Sequence, residues 1–85
     1  MAVVEDQLIE TFVRLNPSLP GTEEARIVGY GVPVWALVGH SQATGDNADQ
    51  VARDYGLPRQ AVDAALAYYR RHKAPLDARI AANAA

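Results

Sequence analysis

Apolar residues recur along the first fifteen positions at Val4, Leu8, Phe12 and Leu15, three and four apart, with Ile9 and Val13 widening the stripe. This is the period of a helix with one buried face, and Glu5 and Asp6 fall in the first turn, where the helix dipole favours acids. The pattern predicts a helix over Val4–Leu15. Asn16 and Pro17 stop it, and NPSLPGTEE reads as a loop from its Pro, Asn, Ser and Gly content. Arg26–Val28 then reads as one short strand, free to pair with its twin across a dimer axis, and Gly29 and Gly31 supply backbone freedom around Tyr30. Pro33 suits the first position of a second helix reaching about Ala43, with Val34, Leu37 and Val38 inward, Trp35 near the strand and Gly45 at its close.

Asp46 or Asn47 can cap the next helix, Ala48–Tyr55, and Gly56 stands where a left-handed residue ends it. After Leu57, Pro58 starts PRQAVDAALAYYRRHK, with Val62, Leu66 and Tyr69 on one stripe, Ala61, Ala65 and Tyr68 beside them, and Gln60, Asp63, Ala67 and Arg70 outward. Pro75 breaks or kinks this helix, so PLDARIAANAA is expected to make a turn or two and fray. The organisation predicted is one domain: an N-terminal helix over 1–16, a core over 25–74 and a C-terminal tail over 75–85.

The most specific feature is the junction DQVARDYGLPRQAVDAAL. A helix, a short turn containing Gly and a second helix form the helix-turn-helix recipe. Small Ala52 stands where the helices would cross, and Val51, Tyr55, Leu57, Val62 and Ala65 occupy the positions that need to be apolar. The expected fold is mainly α, a homeodomain-like or winged-helix-like domain with one short strand and an extra N-terminal helix. In such a fold the start of the second helix enters the major groove, so Arg59, Gln60, Asp63 and Ala64 are the candidate base-facing residues. Arg59 could pair with guanine and Gln60 with adenine, whereas Asp63 repels phosphate unless it accepts from a cytosine amine. The same residues also read as an ordinary solvated first turn. Arg70 heads the basic run RRHK, which fits contact with phosphate or an acidic partner, or compensation of a helix dipole, about 0.3–1 kcal/mol per well-placed charge.

Composition narrows the class. Eighty-five residues make a small core, and 49% apolar content is generous for that length. Surface of this kind is commonly covered by a second copy or another protein, so a homodimer is expected, with Leu8 and Phe12 on the first helix and Leu76 and Ile80 in the tail as candidate partner-binding residues. The net charge of −2 argues against general nucleic-acid binding. The absence of cysteine, the two isolated histidines and the lack of a glycine-rich phosphate loop give no catalytic, metal or cofactor motif, and the expectation is a protein that is not an enzyme. VGYG is spelled like a channel filter, but no apolar run reaches the roughly 20 residues of a membrane span. With no signal-peptide pattern at the amino end, a cytoplasmic setting is expected.

In sequence order, ARIVGYGVPVWALV, ADQVARDYGLPRQAVDAALAYYRRHK and LDARIAAN resemble the small prokaryotic domain-of-unknown-function family 433. The resemblance covers about residues 25–83, is most specific at Pro33, Val34 and Trp35 and at Ala65–Tyr69, and leaves the first helix outside. It implies a type II antitoxin that neutralises a PIN-like ribonuclease toxin and binds operator DNA to regulate its own expression. Tyr30 and Gly31 stand where members commonly carry Thr-Arg, so no role of that arginine carries over. The alternative from another class is a dimerisation or protein-interaction module without DNA binding.

Overall fold

A computed structural model describes residues 2–84. The fold is mainly helical, with α1 Ala2–Phe12, α2 Val34–Ala43, α3 Ala48–Tyr55, α4 Arg59–Arg71 and α5 Lys73–Ala84. Between α1 and α2 the chain forms two short strands, β1 Val13–Arg14 and β2 Arg26–Ile27, separated by a 3-10 turn at Thr22–Glu24. No helix among the described residues is long and apolar enough to cross a membrane.

Helix α4 is the hub. Ala61, Val62, Ala64, Ala65, Ala67 and Tyr68 are all buried along it, and its alanines let α1, α2 and α3 approach closely from different directions. Around it sit Val34, Leu37 and Val38 of α2, Val51 and Ala52 of α3, Ile27 of β2 and Leu76 of α5. Each fully buried Leu, Ile or Val contributes about 1.5–3 kcal/mol, so most of the apolar stabilisation is concentrated here. The Tyr68 hydroxyl donates to the Thr22 carbonyl at 2.8 Å, which ties the 3-10 turn to α4. Burial raises the Tyr68 pKa above its ordinary value, with the charge of Glu23 acting in the same direction.

The helix starts follow the residues read from the sequence. Asn47 caps α3 by accepting from the Gln50 amide at 3.1 Å. Pro33 and Pro58 lie one position earlier than expected, as extended N-cap residues with φ −66° and −62°. Gly56 ends α3 in the left-handed region at φ 66°.

Four expectations are corrected. The first helix ends at Phe12, not Leu15, because the Phe12 carbonyl accepts from the Val28 amide at 2.8 Å and the chain passes into an antiparallel ladder, Val13 opposite Ile27 and Arg14 opposite Arg26. There are thus two strands where one was expected. Both sides of the Arg26–Ile27 strand are occupied within the chain, by β1 and by a bridge from Arg26 to Pro33, which leaves no edge for a twin. The tail is the full helix α5: Pro75 is its third residue, in a turn where a missing amide hydrogen costs no helix bond. Leu76, fully buried, and half-buried Ile80, one turn on, seat α5 beside α2, and the Arg79 guanidinium lies 4.3 Å from the Trp35 ring centre.

Candidate nucleic-acid interface

Helices α3 and α4 are joined by Gly56, Leu57 and Pro58. The left-handed Gly56 lets the Leu57 amide bond back to the Ala52 carbonyl at 2.9 Å, turning the chain sharply while Leu57 is buried against the core. Small Ala52 and the buried Val51 and Val62 fix how closely the two helices cross. The result is a helix-turn-helix whose second helix starts at an exposed corner with Pro58, Arg59 and Gln60.

That corner is electrically self-satisfied. The Arg59 guanidinium contacts Asp49 of α3 at 2.6 Å and Asp63 one turn along α4 at 3.0 Å. Hydrogen bonds to Asp49 and then Asp63 raise its pKa above the ordinary arginine value. All three groups stay well exposed, so the cluster is worth little to stability. Its effect is on recognition, since a base or phosphate approaching Arg59 meets two carboxylates already bonded to it. Asp63, a candidate acceptor for a cytosine amine, is the arginine's partner here.

Gln60, Ala64, Ala67 and Arg71 are spaced i, i+4, i+7 and i+11, a single stripe along α4. Helix α1 runs antiparallel along this stripe. Val4, Gln7, Leu8, Thr11 and Phe12 share a groove of about 350 Å³ with Gln60 at one end. At the other end Glu5 contacts Arg70 at 2.8 Å and Arg71 at 3.6 Å, and Asp6 contacts Arg71 at 2.5 Å. The hydrogen bond from Arg70 lowers the Glu5 carboxyl pKa against the opposing effect of burial, and the charges of Arg70 and Arg71 add smaller lowering contributions.

The sequence-predicted residues are therefore only partly brought together. Arg59, Gln60 and Asp63 share the exposed corner, and Arg70 lies farther along the helix, paired to α1. Ala64, expected to face base edges, is fully buried, and Ala67, expected outward, is 1% exposed. Both are covered because α1 packs on that face. Leu76, expected to face a partner, is fully buried in the chain's own core. Leu8 and Phe12 are half-buried toward the core, as is Ile80, whose methyl would lie 3.8 Å from a side chain added at Gly39.

Sequence reasoning missed the carboxylates Glu5, Asp6 and Asp49 as partners of the three arginines. The available signal was an adjacent acid pair, Glu5 and Asp6, matched to an adjacent basic pair, Arg70 and Arg71. Elsewhere, an apolar groove of about 520 Å³ lies between α1, β1 and α4, bordered by Ile9, Val13, Tyr68 and the exposed Leu15. His40 lies 2.7 Å from Asp54 with its ring T-shaped against Tyr55, linking α2 to α3. Among the described residues no group of three or more His, Cys, Asp or Glu side chains converges.

A family model described as "Protein of unknown function (DUF433)" matches residues 23–69, from the 3-10 turn to near the end of α4. No curated protein and no solved structure matches the chain.

Proposed function

The chain belongs to the DUF433 family, and from that premise we propose that it is the antitoxin of a type II toxin–antitoxin pair, binding a PIN-like ribonuclease toxin and regulating its own operon through α3 and α4. The observation that carries the DNA half is the helix-turn-helix corner, where Arg59 and Gln60 stand exposed at the start of α4, the end that enters a major groove in such folds. The toxin half is supported by the family resemblance and by the apolar groove beside exposed Leu15. That groove is a better contact surface than Leu76, which has no exposed area. The action is by binding, in a cytoplasmic setting, with no chemistry on a substrate.

Co-purification with the product of the adjacent gene tests the toxin half. The expected result is a stable complex in which ribonuclease activity is suppressed, and recovery of the chain alone overturns it. A gel shift with the chain's own upstream DNA at two salt concentrations tests the other half, with a sequence-dependent shift expected. A second reading, a protein-interaction module without operator binding, is favoured by the two carboxylates held on Arg59. It predicts the complex but no shift.

A further inference from the structure

Helix α1 occupies the side of α4 that a helix-turn-helix presents to DNA, and it packs there closely through side chains that stay partly exposed. Among its described side chains, residues 4–12, none is fully buried: Val4 is 55% exposed, and Leu8, Ile9 and Phe12 are half-buried. Beneath it lie alanines, which offer little area to grip, and the remaining fastening is the surface charge cluster of Glu5 and Asp6 with Arg70 and Arg71. Exposed pairs of this kind add little to stability. The segment also lies outside the family-matched residues 23–69, whereas α3, the turn and α4 as far as Tyr69 lie within them.

We infer that α1 is a detachable cover over the reading face of α4: docked, it hides Ala64 and Ala67 and keeps Arg70 and Arg71 from phosphate; lifted, it frees that face for a DNA major groove. The DNA part of this inference rests on the operator-binding reading proposed above. The cover itself does not depend on it. Docking α1 and docking DNA are mutually exclusive, because both need the stripe of Gln60, Ala64 and Ala67. The acids of α1 stand on the arginines in the position that phosphate oxygens would take. Whatever lifts α1 therefore uncovers the apolar floor and two cations together.

The chain contains no cysteine, so single thiols report on the cover directly. Ala67→Cys is made in the full-length chain, with and without Glu5→Lys/Asp6→Lys, and alkylation by N-ethylmaleimide is timed while circular dichroism verifies the fold. The thiol is expected to react slowly in the first background and about tenfold faster in the second. Equal rates in the two backgrounds, slow or fast, overturn the cover. A second variant avoids substituting the buried alanine. Glu5→Cys/Arg70→Cys is joined by a short bis-maleimide, and the linked and unlinked forms are titrated with the upstream duplex. The linked form is expected to bind at least tenfold more weakly, and equal, measurable binding by the two forms overturns the inference. If the thiol at position 67 is uncovered by charge reversal but neither form of the linked pair binds DNA, the cover stands and the operator-binding reading falls.

Discussion

Helices α1 and α2 both pack on α4, yet they are fastened to it by different physics. Helix α2 inserts Val34, Leu37, Val38 and Ser41, all buried, and its contacts cannot loosen without opening the core. Helix α1 lays half-buried side chains over alanines and finishes the contact with surface charge. The first arrangement is sensitive to lost volume and nearly indifferent to salt. The second responds to charge and screening and can yield without the rest of the molecule unfolding. The division also follows the family match, which includes α2 and excludes α1. One region carries the fold, and the other is a movable addition to it.

The largest test of this contrast is Leu37→Ala. Truncating a fully buried leucine costs about 2–5 kcal/mol, a large share of the 5–15 kcal/mol typical of a whole domain. Urea denaturation should show one cooperative transition at a much lower midpoint. Next comes Gly56→Ala, which probes the turn between α3 and α4. A Cβ there meets no atom within 4 Å, so the cost is the left-handed backbone alone, about 1–2 kcal/mol, read by the same denaturation.

Leu8→Ala tests the other region. It should cost about 1 kcal/mol, from partial loss of a contact worth about 1.5–3 kcal/mol when fully buried. Hydrogen exchange should quicken in α1 while α2 amides keep their protection; a uniform loss across both helices would break the comparison. The smallest effect expected is that of acid. Because the Glu5 pKa is lowered in the folded chain, its contribution is present above 4.5 and lost as pH falls through the lowered folded value. Amide chemical shifts of α1 should move in that acid range, those of α2 should stay fixed, and Glu5→Gln should diminish the α1 response.

The same division explains what was legible in the sequence. The helix-turn-helix was readable because its determinants are local: Ala52, Gly56 and Pro58 lie within seven consecutive residues and act on the backbone beside them. The apolar stripe of α1 was equally plain, but period alone says that a face is buried and not what buries it. The covering of Ala64 and Ala67 depends on a contact between residues some sixty positions apart, for which only the matched charge pairs gave a clue. Strand β1 was hidden because Val13 and Leu15 also fit a helical period, and the competing ladder is set by Ile27 and Val28. Pro75 has the look of a breaker in the sequence because its tolerated place, the first turn of a new helix, requires knowing that one begins at Lys73.

The short ladder at the foot of α1 has a consequence for competition. Since Val13 and Arg14 pair with β2 directly after Phe12, a lifted α1 stays leashed within reach of the face it left. Short tethers of this kind hold a segment at an effective concentration of roughly millimolar. A rival for that face in solution meets a competitor that dilution cannot remove, and its apparent affinity is reduced by the fraction of time the face stands open. The two-residue strand thus acts as a threshold setter: it fixes how strongly a rival must bind before the balance tips, whatever the concentration of the protein itself.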